Sequence, residues 1–171
     1  SGVACSGTHA NVRPAIGRTG SVGATTGILA CSPPPGDLVA AVDVTMRPIV
    51  GHEVVTGSTR MKAGTETKLV LNMITTGAMI RLGKTYGNLM VDLRATNNKL
   101  IDRSQRIVME VCGVSRDEAT KLLDRAGKSG KLAIVMQKRG VEREEAERLL
   151  AQNGGVVRRV PKAGPPPIRD P

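Results

Sequence analysis

Between Gly51 and Thr65 the chain reads Gly-His-Glu-Val-Val-Thr-Gly-Ser-Thr-Arg-Met-Lys-Ala-Gly-Thr, a run of glycines, hydroxyls and bases directly ahead of a helical pattern. Gly57 permits close backbone approach to a ligand. Ser58 and Thr59 can cap a helix and present its free amides outward, and Arg60 and Lys62 bring positive charge beside that start. Cations near a helix amino terminus oppose the helix dipole, so their presence predicts a bound anion or a neighbouring acid. A phosphate fits that description. The competing account is an ordinary capped helix with solvated bases. A shorter candidate is Ser6-Gly7-Thr8-His9, where Ser6 and Thr8 add hydroxyl donors to a strand-to-helix turn, the place where open α/β sheets bind ligands. Taken alone it fits a capped turn equally well.

Other reactive groups are sparse. Cys5, Cys31 and Cys112 are odd in number and lack metal-ligand or redox spacing, so they read as reduced thiols. No metal and no cofactor is expected. The net charge of +10 admits an anionic ligand, nucleic acid or plain solubility. Residues 1–50 carry Arg13, Arg18 and Arg47 against Asp37 and Asp43, so the excess lies later, where bases alternate with acids as in Glu142-Arg143-Glu144-Glu145. That is the pattern of a solvated helix face. Aromatic residues make up 1 % of the chain, with Tyr86 alone, which argues against stacking on single-stranded nucleic acid.

The elements that must position these loops follow from periodicity. With 171 residues the chain is long enough for a core, built from Val, Leu, Ile, Met and Ala. Residues 2–5 and 25–31 are short apolar runs bounded by Gly, Ser and Pro, as strands of a sheet covered on both faces are. A crossover helix is expected over 9–21, although Pro14, Gly17 and Gly20 disfavour it. Pro33-Pro34-Pro35-Gly36 reads as a turn and residues 42–46 as a third strand. A long helix is expected from Ser58 to about Leu82, with Leu69, Leu71, Met73, Ile74, Ala78, Met79 and Leu82 as its apolar stripe, and a second over 92–112.

Beyond residue 112 the texture changes. Ser115-Arg116-Asp117-Glu118 is a capping box, and the pattern Gly113-Val114, Asp117-Glu118-Ala119, Leu122-Leu123, Gly127 returns 27 residues later as Gly140-Val141, Glu144-Glu145-Ala146, Leu149-Leu150, Gly154. The helix Lys131 to Arg139 lies between the copies. A boundary is expected near residue 112, a helical subdomain over 113–157, and a disordered, Pro- and Arg-rich tail over 158–171. The chain opens on Ser1, inside what reads as a buried strand, so a segment upstream is expected. No apolar run reaches the ~18 residues of a membrane helix, and a soluble cytoplasmic protein is expected.

The stretch from Gly51 to Asn98 carries more than composition. Val54-Val55-Thr56-Gly57-Ser58-Thr59-Arg60-Met61-Lys62-Ala63-Gly64-Thr65, Lys68-Leu69-Val70-Leu71-Asn72-Met73, Thr76-Gly77-Ala78-Met79, Arg81-Leu82-Gly83-Lys84 and Tyr86-Gly87-Asn88-Leu89-Met90-Val91-Asp92 closely resemble the N-acetylmuramic acid 6-phosphate etherases and, more distantly, the glucokinase regulatory proteins. The likeness runs over residues 2–157 and matches the carboxyl-terminal half of the family. It implies an α/β fold: part of a sugar isomerase (SIS) domain, flavodoxin-like with a parallel sheet, followed by a small all-helical UBA-like subdomain. It also implies a homodimer and a cytoplasmic lyase acting on a sugar phosphate, which eliminates the lactyl ether and adds water to release D-lactate and N-acetylglucosamine 6-phosphate.

Such chemistry needs a base near the sugar's carbon 2 and an acid for the leaving group. The family's two glutamates lie upstream of the matched region, so no catalytic residue carries over and the chain is expected to be inactive alone. The substrate-binding residues implied are Ser6, Gly7, Thr8, Glu53, Ser58, Thr59, Arg60 and Lys62. The family usually reads Ser-Gly-Arg-Thr-Pro where this chain has Ser6-Gly7-Thr8-His9-Ala10, so Thr8 matches by position only. His52 stands where proline is usual, and His9 and His52 read as solvated surface groups. The alternative function is a non-catalytic sugar-phosphate-binding regulatory protein.

Overall fold

The computed structural model describes residues 2–4, 11–93 and 97–164, and the chain separates into two compact units, Ser1–Thr75 and Thr76–Pro171. The first unit is α/β. Its strands β1 (Gly2–Ala4), β2 (Thr26–Leu29) and β3 (Val44–Met46) form a parallel sheet in the order β1-β2-β3, with Val3 beside Gly27 and Ile28 beside Thr45. Parallel neighbours require crossovers, and these are α1 (Val12–Ser21) and α2 (Gly36–Ala40). Val12 and Ile16, one turn apart on α1, meet Ile28 of β2 and Leu38 of α2 to make a small core.

The breakers in α1 are accommodated. Pro14 lies in the first turn, where its missing N–H has no partner to lose. A Cβ built on Gly17 or Gly20 would meet nothing within 4 Å. Helix α2 follows the turn expected over residues 33–36 and overlaps it only at Gly36. It forms because Pro35 leaves the chain extended at the helix amino terminus, the amides of Leu38 and Val39 donate to Pro35 O, and Leu38 is buried.

Helix α3 (Lys62–Arg81) begins four residues later than Ser58, where periodicity alone would start it. Gly57 has φ +82 and the Ser58 amide donates to Val55 O, so residues 55–58 close a turn instead. Of its residues only Ala63 is buried. The apolar stripe expected along it is largely uncovered: Leu69, Met73, Ile74, Met79 and Leu82 are exposed and Leu71 is half-buried. No helix among the described residues is long and apolar enough to cross a membrane.

The second unit holds the end of α3, a hairpin of β4 (Thr85–Tyr86) and β5 (Leu89–Met90), and the helices α4 (Asn98–Cys112), α5 (Arg116–Arg125), α6 (Gly130–Arg139) and α7 (Arg143–Gln152). One apolar cluster runs from the hairpin through the helices after it, from Tyr86 and Val91 through Ile107, Leu123 and Ile134 to Leu150 and Val160. The boundary expected near residue 112 falls inside this unit. Helix α4 starts six residues later than expected, because the amides of Val91 and Asp92 donate to Lys84 O and the Asn97 side chain caps Leu100 N at 2.9 Å. Residues 158–164, expected as disordered tail, instead form a 3-10 turn (Val157–Arg159) and pack Val160 and Ala163 into the cluster. The phenol of Tyr86, fully buried, fixes them by donating to Ala163 O and Gly164 O at 3.1 and 2.8 Å.

The repeat is visible as repeated bonding. Gly113 and Gly140, at φ +66 and +64, close α4 and α6 with the same pair of bonds, from Gly113 and Val114 to Met109 O and from Gly140 and Val141 to Met136 O. Gly127 and Gly154, at φ +61 and +65, lie after α5 and α7, and Lys128 N→Leu123 O matches Gly155 N→Leu150 O, both 2.7 Å. The first copy starts α5 with the full Ser115–Glu118 capping box, whereas Glu142 makes no side-chain cap on α7.

Candidate functional site

Strand β2 ends at Leu29, and Ala30 continues its pairing by donating to Met46 O at 3.0 Å. The chain then leaves the sheet edge through Cys31, Ser32 and the three prolines. Facing it are the loop after β3 and the start of α3, and between them lies a cavity of about 360 Å³ lined by Ser32, Gly51, Glu53, Thr59, Gly64 and Thr67 among others. A cleft at the carboxyl end of a parallel strand beside a helix start is where α/β sheets hold ligands, since free amides and the helix dipole converge there. The half-buried Cys31 thiol faces Ala63 O at 3.6 Å and Thr67 Oγ1 at 3.7 Å, so the strand end and the helix start are joined across the cavity floor.

Glu53 dominates the helix start. Its Oε2 accepts from the amide of Lys62 at 3.1 Å and its Oε1 from the amide of Ala63 at 3.0 Å. These two bonds, that from Ala63 foremost, hold its carboxyl below the usual glutamate range. Glu53 is therefore a fixed anion that caps α3 from a distant loop, and the acid demanded by bases at a helix start is built into the protein. Lys62 Nζ is tied back to His52 O at 2.7 Å.

The residues singled out by sequence divide accordingly. Glu53 and Thr59 line the cavity together. Ser58 is half-buried in the turn next to Thr59, while Arg60 is exposed and outside the cavity lining. Lys62 lines a shallower depression with Ile49, Met61 and Glu66. Ser6, Gly7 and Thr8 lie outside the described residues, as does His9. Sequence reasoning passed over Ser32 and Thr67. The position of Ser32 just past a strand end was a usable signal for it, but Thr67, inside a helix, becomes a site residue only through packing. Among the described residues no cluster of His, Cys, Asp and Glu is arranged to hold a metal.

Comparison with known proteins adds an independent line. A family model described as the C-terminal lid domain of glucokinase regulatory protein matches residues 87–129. N-acetylmuramic acid 6-phosphate etherases are similar along almost the whole chain. That of Aliivibrio fischeri (strain MJ11) is 49 % identical over 157 residues, 92 % of this chain and 52 % of the relative. That of Photobacterium profundum is 49 % identical over 163 residues, 95 % and 54 % respectively. The Klebsiella aerogenes protein is 50 % identical over 158 residues, 92 % and 52 %. The chain spans about half the length of the curated relatives it matches.

Proposed function

We propose that this chain furnishes the sugar-phosphate-binding part of an N-acetylmuramic acid 6-phosphate etherase, a carbon-oxygen lyase that yields D-lactate and N-acetylglucosamine 6-phosphate. The observation that carries the proposal is about 50 % identity to such etherases over 92 % of the chain, coinciding with a cavity at the carboxyl edge of β2. In this reading the first unit belongs to a SIS-type, flavodoxin-like domain, and the helices beyond residue 112 form a UBA-like subdomain. The task of the visible residues is to hold and orient the phosphorylated sugar. Thr59 lines the cavity and Ser58 stands next to it, so their hydroxyls supply donors to phosphate oxygens. Ser6, Gly7 and Thr8 would form the second cradle, and Arg60 and Lys62, both outside the cavity lining, would add positive charge to its surroundings.

Glu53 serves this arrangement as a positioning group. A carboxylate that accepts two backbone amides and is held anionic is a poor proton donor at neutral pH. The elimination needs an acid and a base, and the carboxylates for both would come from outside the visible residues. The uncovered apolar stripe of α3, with Leu69 and Met73 about half or more exposed, favours a homodimer, since contiguous exposed apolar surface marks an interface. A cytoplasmic location suits a phosphorylated cell-wall sugar as substrate. One observation favours a second reading, a non-catalytic sugar-phosphate-binding regulator: the match to the lid domain of glucokinase regulatory protein.

Titration calorimetry with N-acetylglucosamine 6-phosphate tests the shared core of both readings. Replacing Ser58 and Thr59 together by alanine is expected to weaken binding about tenfold or more, as loss of hydrogen bonds to a charged group does, with little change in thermal midpoint. An unaltered affinity would take this loop out of the site.

A further inference from the structure

Three arginines of the second unit meet at a second cavity. Arg81 closes α3, Arg158 and Arg159 belong to the 3-10 turn, and with Thr85 and Gly87 of the hairpin they line a space of about 260 Å³ that no acidic residue among the described residues borders. The meeting is built in by backbone packing. Gly83 has φ +70, and a Cβ on it would lie 2.6 Å from Val156 Cγ2, so only glycine lets the segment before the 3-10 turn close onto the end of α3. Val156 and Val157 are buried on either side of that junction.

The electrostatics of this cavity are left open. Five other arginines of the unit are paired, Arg106 and Arg116 with Asp102, Arg125 with Glu142, Arg143 with Glu147 and Arg148 with Glu145. Among the described residues Arg81, Arg158 and Arg159 take part in no ion pair. The carboxyl end of α3 offsets part of the charge of Arg81, but among the described residues no acid pairs with the other two. Like charges gathered around one concavity raise the local potential and concentrate anions there. Guanidinium groups match phosphoryl oxygens with paired donors, and the half-buried Thr85 offers a hydroxyl.

We propose that this cavity is a binding site for a small anion bearing a multiply ionised phosphoryl group, separate from the cavity at β2. Its volume falls below the roughly 300 Å³ at which pockets begin to suit drug-sized ligands, so the ligand is of the size of pyrophosphate or a compact phosphate ester. Sodium pyrophosphate and a short-chain phosphate monoester, titrated calorimetrically into the 171-residue chain at fixed ionic strength, distinguish the two sources. One of them is expected to bind with one-to-one stoichiometry. Arg158→Gln with Arg159→Gln should weaken it about tenfold or more, whereas Ser58→Ala with Thr59→Ala should leave it unchanged. In parallel, the amide resonances of Thr85 and Gly87 should move on titration of the unsubstituted protein, a readout that does not depend on the variants folding. Absence of saturable binding, equal affinity in the arginine variant, loss in the Ser58/Thr59 variant instead, or unmoved Thr85 and Gly87 resonances would each overturn the site.

Discussion

Glu53 gives both carboxylate oxygens to the amides of Lys62 and Ala63, so a loop acid does for α3 what a neighbouring Ser or Asp does for most helices. Its depressed pKa sets the sign of a pH effect. A carboxylate that is more acidic folded than unfolded stabilises the fold fully above its unfolded pKa, near 4.5, and loses that contribution as pH falls through the folded value. Glu53→Gln lacks the contribution at every pH. Its thermal midpoint is therefore expected to fall below that of the unsubstituted chain at neutral pH, with the gap closing as the pH is lowered through the folded pKa of Glu53. A gap that is constant or widens in acid would show that Glu53 is not the cap. Asp43, whose carboxylate accepts from the amide and hydroxyl of Thr26 at 2.7 and 2.9 Å, is held acidic in the same way and adds to the acid sensitivity of the first unit.

The doubled helical motif supplies an internal control for backbone strain. Lys128 and Gly155 occupy the same position after α5 and α7, at φ +64 and +72, with the same closing bond. A side chain in the left-handed region costs about 1 kcal/mol or more relative to glycine. The first copy bears that cost at Lys128, whose ammonium pairs with Asp124. Gly155→Ala is expected to lower stability by about 1 kcal/mol in urea unfolding, although the added Cβ would meet nothing closer than Lys131 Nζ at 4.0 Å. Lys128→Gly should leave stability unchanged or raise it. The reverse ordering would place the strain elsewhere.

Across the whole molecule, the described residues form one extensive apolar cluster, in the second unit, and a small one in the first. The longest helix, α3, contributes almost nothing to either. Met73 is 63 % exposed and Leu69 49 %, and an apolar stripe open to solvent is the mark of an interaction surface. Sedimentation velocity should show reversible self-association, and Met73→Lys with Leu69→Lys should shift the population to monomer while leaving the helical signal in circular dichroism intact. A mass distribution unchanged by the pair of lysines would rule out α3 as the contact.

The sequence by itself determined the features that depend on near neighbours in the chain. The bounded apolar run at 25–31, the alternation at 42–46, the crossover that two such strands demand and the 3.6-residue pattern after residue 112 located β2, β3, α1 and the later helices to within a few residues, the Ser115–Glu118 box marked the start of α5, and the 27-residue echo foretold two equivalent closures. The Gly57-Ser58-Thr59 signature marked the loop that borders a cavity. What only the tertiary structure decided were matters of partners far apart in sequence. Periodicity could not show that Glu53 occupies the helix amides that the bases were expected to offer a ligand, because that bond is made by a loop nine residues away from Lys62. Nor could it show that the stripe of α3 is uncovered, since an apolar face looks the same in sequence whether its cover lies in the same fold or outside it. The packing of Val160 and Ala163 beneath Tyr86 was hidden by a Pro- and Arg-rich composition, because burial is settled by the surface a segment meets rather than by its own average polarity.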